Sequence, residues 1–214
     1  MHTSNHAHAA DLESTLAFLN SVHFDAGVPD EGLGTAAEAI AFFADRGLAH
    51  DEALHAQVEA VGEGPWLQRV HATREAIRGV WDAQVEHHEP SSADIDTVNV
   101  VLREAPRIEL VPGDGCCGIG HRHTVDDPVG EVLGRLAEPF VEAVAAGTTD
   151  RFRICANDGC RWVFEDTSRA GRRRWCDMSS CGNRAKVRRY RSKLREAADE
   201  AADEVSPLGP VEAA

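Results

Sequence analysis

Four cysteines in two matched pairs constrain this chain more than any other feature. They read Cys155-x4-Cys160, fifteen intervening residues, then Cys176-x4-Cys181. Zinc takes four soft ligands at tetrahedral corners, and two short loops that each offer a thiolate pair supply such a set. The surrounding segment, residues 151–196, is near the size below which a metal is commonly needed for folding. Structural zinc contributes on the order of 10–16 kcal/mol in finger peptides, enough to decide that balance. Four thiolates leave no open coordination position, so the expected cofactor is one structural Zn2+ ion held by Cys155, Cys160, Cys176 and Cys181. Between the pairs, Arg161-Trp162-Val163-Phe164 alternates as a strand does and Asp166-Thr167-Ser168 turns the chain. Ser179 or Ser180 is expected to cap a helix that carries Cys181 in its first turn.

The helix after Cys181 sets the function that such a module suggests. At 100° per residue, Val187, Tyr190 and Leu194 form a narrow apolar stripe, expected to pack on the zinc core. Arg184, Arg188, Arg191 and Arg195 flank it on one side, and Lys186, Arg189 and Lys193 on the other. Arg169, Arg172, Arg173 and Arg174 form a second basic cluster ahead of Cys176. Charge makes this segment exceptional. The 214-residue chain has a formal charge of -14, yet residues 151–195 hold 14 basic and only 4 acidic side chains. Residues 1–150 hold 8 basic and 26 acidic, and the last 19 residues hold 6 acidic and none basic. A basic working module on an acidic carrier is the footprint of nucleic-acid binding. Arg172, Arg173, Arg174, Arg188, Arg189 and Arg191 are the candidate phosphate contacts. Arg184 and Lys186, next to the anchored helix start, are the candidates for base edges. Double-stranded DNA is the expected partner. RNA, or an acidic protein surface such as the chain's own amino-terminal part, is the alternative.

The first 150 residues predict a mainly α, α+β overall, architecture. Leu12, Leu16, Leu19 and Val22 recur at helical spacing before Gly27, Pro29, Gly32 and Gly34 break the pattern. Thr35 caps a second helix that Gly47 ends, and a third runs from Asp51 to Val61. The longest follows Gly64, with Leu67, Val70, Ile77, Val80, Trp81 and Val85 facing inward. Ser91 or Ser92 starts another, which stops before Pro106. Arg107 to Val111 and Cys116 to Thr124 predict one β-hairpin around Pro112-Gly113-Asp114-Gly115. Asp127 and Pro128 open a last amphipathic helix through Val144. The expected division is a disordered tail over 1–10, a helical domain over 11–150, the zinc module over 151–196, and an acidic helix end and disordered tail over 197–214.

The motifs carry a family resemblance. Phe164-Glu165-Asp166-x-Ser168-Arg169, Arg173-Arg174-Trp175-Cys176-Asp177-Met178 and Cys181-Gly182-Asn183-Arg184-Ala185-Lys186 resemble the bacterial CGNR zinc-finger proteins. That family carries its finger behind a helical domain called ABATE, proposed to be a stress-induced transcription regulator. Leu16-Ala17-Phe18-Leu19-Asn20 resembles the family's opening Leu-Asp-Phe-x-Asn, with Ala17 where the family has Asp. Arg74-Glu75-Ala76-Ile77-Arg78 also fits. The resemblance implies zinc and DNA binding over about residues 12 to 195.

Other constellations carry less. Cys116, Cys117, His121 and His123 are a candidate second metal or redox site, weighed against a hairpin with ordinary Cys and His. His2, His6 and His8 are expected to belong to a tail. The sequence contains no P-loop, dinucleotide fingerprint or serine elbow, so no enzyme is expected. No run approaches the ~18 apolar residues of a membrane span, and Met1 to Asp11 lacks the pattern of a signal peptide. The expected location is therefore the reducing cytoplasm, where paired cysteines point to metal. A small-molecule effector of the helical domain is a further expected partner, without a located site.

Overall fold

The computed structural model describes residues 11–25, 28–112, 117–122 and 126–204. Helix α1 (Leu12–Leu19) leads into a hairpin of β1 (Val22–Asp25) and β2 (Val28–Glu31). Four helices follow: α2 (Ala36–Asp45), α3 (Asp51–Val61), α4 (Glu63–Glu86) and α5 (Ser92–Glu104). A second hairpin pairs β3 (Arg107–Pro112) with β4 (Cys117–Arg122), and α6 (Pro128–Ala145) closes the bundle. A short 3-10 turn (Thr149–Arg151) enters a third hairpin, β5 (Phe152–Ile154) with β6 (Val163–Glu165). A π-helical turn (Met178–Gly182) then runs directly into α7 (Asn183–Glu204).

Local chemistry explains most of these boundaries. Thr35 and Glu38 form a reciprocal capping box at the start of α2. At its end Gly47, at φ +65°, lets its N–H reach Ala44 O and the Leu48 N–H reach Phe43 O. Both Phe43 and Leu48 are buried there, which completes a Schellman stop. Ser91 caps α5 and Asp127 caps α6, as their side-chain chemistry favours.

Helix α4 is the hub and touches α1, α2, α3, α5 and α6. Its Val70, Ile77 and Trp81 are fully buried. Trp66 is buried too, although the periodicity gave that place to Leu67, which is only partly covered. Several polar groups inside are paired: Thr15 Oγ1 donates to Leu136 O at 2.8 Å. Arg74, 3 % exposed, holds both carboxylate oxygens of Glu31 and also Ser21 Oγ. Arg69 joins Asp127 at 2.5 Å and Glu104 at 2.6 Å, so it ties α4 to α5 and to the start of α6.

The mainly α, α+β class is as expected, with differences in detail. Val22 leaves the helical pattern and opens β1, so the amino-terminal part has a hairpin beyond the one predicted. The alternation of Val22 and Phe24 is too short to outweigh helical spacing, whereas the Arg74–Glu31 clamp that holds the hairpin is a tertiary contact. Gly147 to Asp150, the junction expected between the helical domain and the zinc module, is a chain turn across which the core continues. Phe152 lies beyond it yet stacks on Trp81 at 3.8 Å between centroids and 11° between planes. Of the candidate second metal site, Cys116 and His123 lie outside the described residues. For Cys117 and His121 the described part is the β4 backbone, opposite Pro112 and Ile108. The expected tails at 1–10 and 205–214 also lie outside the described residues.

Candidate metal centre and nucleic-acid interface

The strand pair β5–β6 brings the two cysteine loops together. Cys155 follows β5, and its N–H donates to Trp162 O. Cys160 sits on the turn at Asn157, whose carbonyl accepts from the Cys160 and Arg161 N–H groups. Ala156 N donates to Arg174 O, which brings the segment before Cys176 alongside the first loop. Cys181 lies in the π turn, which is capped by Asp177: its carboxylate accepts from the Ser179 and Ser180 N–H groups. The expected cap, Ser179 or Ser180, is therefore corrected to Asp177. A carboxylate two or three residues earlier reaches the same orphan donors, and Ser179 adds its hydroxyl to it at 2.6 Å.

All four sulfurs lie within 4.8 Å of one another. Cys160 Sγ is 3.7 Å from Cys176 Sγ, and Cys176 Sγ is 3.8 Å from Cys181 Sγ. A tetrahedron with Zn–S bonds of about 2.3 Å has edges of about 3.8 Å, so the donor set fits one zinc ion. The thiols themselves need a cation. Burial pushes the Cys160 thiol up to about 11 and Cys176 higher still, with the neighbouring sulfur charges adding to it. At Cys181 burial acts in the same direction but is outweighed by hydrogen bonds, from Asn157 and then the other thiols, which lower it. Bound zinc supplies the charge that ionises all four and holds the two loops together.

A shell around the cysteines fixes their geometry. Asn157, 4 % exposed, donates to Cys181 Sγ at 3.5 Å and accepts from Arg188 Nη2 at 3.0 Å. It thereby links the first loop, the second pair and α7. Gly182 packs closely: a Cβ there would displace the exposed Met178 side chain, whose Sδ it would meet at 2.8 Å, and press on Trp175 Cδ1 at 3.3 Å. Asp166, 1 % exposed, is the anchor of the 166–173 loop. Burial works against its charge, but Ser168 and the Arg173 N–H hold its carboxyl at about 2.

The predicted basic residues divide into two groups. Arg173 is used by the finger itself: its guanidinium donates to Cys176 O at 2.5 Å and lies 5.0 Å from the centre of the Phe164 ring. Arg151 and Arg153, which the charge count included, donate to carbonyls of Ser168 and Gly171. Arg172, Arg174, Arg184, Lys186, Arg188, Arg189 and Arg191 are exposed. Two grooves border the start of α7. One, of about 960 Å³, is lined by Asn157, Asp158, Ser179, Asn183 and the cations Arg184, Arg188 and Arg191. The other, of about 380 Å³, is lined by Arg174, Trp175, Lys186, Arg188 and Arg189. The candidate cations, Arg172 and Arg173 aside, thus gather on the borders of two concave surfaces.

The apolar stripe does not pack on the zinc core. Val187, Tyr190 and Leu194 are 48 %, 64 % and 53 % exposed. Helix α7 is held only through its first turns, by Gly182 against Trp175 and by Arg188 on Asn157. The zinc core is closed instead by Phe164 and Trp175. Asn157 carries no signal in the sequence, and Asn20 stands out only as the last residue of the family's opening motif, with no role attached. Both are polar residues whose partners lie far along the chain, which no local pattern reveals.

The finger docks on the helical part through its strands. Asn20 makes two hydrogen bonds to the Val163 backbone. Arg78 donates to Arg161 O at 2.9 Å, and Trp81 Nε1 to Arg153 O at 3.3 Å. His23 and Trp162 lie 5.4 Å apart by ring centres. The exposed cations of α7 take no part in these bonds.

Two known families match along the chain. Residues 13–147 match ABATE, described as "Putative stress-induced transcription regulator". That is more than half of the molecule. The chain belongs to the ABATE family. Residues 151–193 match the CGNR zinc finger, so this ABATE protein carries that finger immediately after its helical part. No curated protein matches the chain. The ABATE protein has four cysteines positioned for a single structural zinc ion. Among its described residues, no helix is long and apolar enough to cross a membrane.

Proposed function

We propose that this protein is a cytoplasmic transcription regulator that binds double-stranded DNA through its zinc finger. The observation that carries the reading is the division of labour on the finger. Its strands and Phe152 are committed to the helical part, while Arg174 of the loop and Arg184, Lys186, Arg189 and Arg191 of α7 are exposed along two grooves. If the acidic amino-terminal part were the partner of the basic surface, those cations would meet its carboxylates. The contacts between the two parts run mainly through backbone groups and aromatic rings, and their one ion pair among the described residues, Arg161 with Asp82 at 4.0 Å, uses no cation of α7 or of the 172–174 loop.

Arg172, Arg174, Arg188, Arg189 and Arg191 would contact phosphates, with Arg184 and Lys186 at the base edges. Arg173 acts by holding the loop. Residues 11–150 would receive the signal and residues 151–196 would bind, a binding function with no catalytic step. An effector would enter the cavity of about 340 Å³ lined by Asn20, His23, Leu33, Phe42, Arg46 and Trp162, since its walls come from both parts. Binding of the zinc-loaded chain to labelled duplex DNA, single-stranded DNA and single-stranded RNA tests the reading. Preference for duplex supports it; preference for RNA, or no binding at low salt, overturns it.

A further inference from the structure

Helix α7 presents an apolar stripe that nothing in the described structure covers. Val187, Tyr190 and Leu194 are each about half exposed or more, and Ala197 continues them at spacings of three, four and three residues. That is the a/d rhythm by which helices pair. The charge along the helix is polarised as well. Residues 184–195 carry seven cations and no anion, and residues 196–200 carry Glu196, Asp199 and Glu200 and no cation. We propose that this stripe is a docking surface for a second copy of the same chain, with the two α7 helices antiparallel.

The edges of the stripe choose the direction. At 100° per residue, Lys186, Lys193 and Glu200 border it on one edge, and Arg184, Arg191 and Ala198 on the other. In a parallel pair the first edge of each helix faces the second edge of its partner. Lysine then meets arginine, and Glu200 has no cation beside it. In an antiparallel pair each edge faces its own copy, reversed. Glu200 of each helix then comes beside a lysine of the other, and the acidic end lies along the basic stretch. Two-fold symmetry forms both contacts twice. Arg188, Arg189 and Arg195 lie farther round the helix, so the pairing leaves them uncovered, whereas Arg184, Lys186 and Arg191 border the seam and the dimer would compete with DNA for them.

The test is sedimentation of the full-length, zinc-loaded protein. Wild type is expected to shift from monomer toward dimer mass across about 1–100 µM. Leu194→Glu, which places charge in the stripe, is expected to raise the dimer dissociation constant at least tenfold. The triple variant Glu196→Lys, Asp199→Lys, Glu200→Lys is expected to do the same. In a parallel pair none of the three faces a cation, so the reversal breaks no ion pair and the dimer is expected to survive it. Unchanged zinc stoichiometry and circular dichroism show that each variant is folded. A monomer at the highest concentration, a dimer that survives Leu194→Glu, or one that survives the triple reversal overturns the proposal. So does a stripe needed only for DNA, with wild type monomeric and Leu194→Glu weakened solely in duplex binding.

Discussion

Asn20 and Val163 are 143 residues apart, yet they form a two-way hydrogen-bonded pair. Asn20 Nδ2 donates to Val163 O at 2.9 Å, and Val163 N donates to Asn20 Oδ1 at 2.9 Å. The amide acts as an additional strand partner for β6 and registers the finger on α1. Asn20→Ala leaves a buried backbone pair unsatisfied, at a cost of about 2 kcal/mol. For a chain of this size that lowers the thermal midpoint by roughly 4–8 °C, readable by calorimetry. An unchanged midpoint would show that the two parts are not coupled through this contact.

Zinc removal tests the same coupling from the other side. The helices α1 to α6 bury their own core, but Phe152 and Val163 of the finger belong to it as well. Cys176→Ser, or chelation, is expected to keep most of the helical circular dichroism while lowering the midpoint by roughly 5–15 °C, as part of the zinc folding energy is lost. Trp81 emission should shift to the red as Phe152 leaves its face. A finger that unfolds without moving the midpoint contradicts the shared core.

These two contacts also show what the sequence could and could not convey. The zinc ligands, the caps at Thr35, Ser91 and Asp127, and the Gly47 stop are legible because each is a local pattern with one physical meaning. The β1–β2 hairpin and the Asn20 contact are not, because they depend on partners at Arg74 and Val163. The stripe at Val187, Tyr190 and Leu194 was legible as apolar. Periodicity finds a face but not what the face meets, and α7 leaves the zinc core after its first turns.

Acid sensitivity in the helical part should trace to Asp127. Burial raises its pKa, but Arg69, Gln57 and the Gly130 N–H outweigh that and set it below the usual aspartate value. A carboxylate with a lowered folded pKa contributes its stability above the unfolded pKa and loses it as pH falls through the folded one. Stability is therefore expected to decline below about pH 4. Asp127→Asn is expected to be less stable at neutral pH and to show a shallower acid decline. An equally steep decline would assign the acid limb to other groups.

The two classes of arginine predict opposite phenotypes. Arg184→Ala with Arg191→Ala removes exposed cations, so zinc content and midpoint should hold while duplex affinity falls roughly 10-fold or more. Arg173→Ala removes the bond to Cys176 O and the Phe164 contact, and should cost about 1–3 kcal/mol of stability. If Arg173→Ala is stable and loses only DNA affinity, its guanidinium turns outward in solution.

A locally basic finger, on a chain of net charge -14, is expected to work on a polyanion. Duplex affinity of the zinc-loaded protein as a function of salt tests it most directly. With five phosphates engaged, the log–log slope should be about -4.5, and chelation should abolish binding. A slope near zero, or no duplex binding at low salt with zinc bound, would contradict the account.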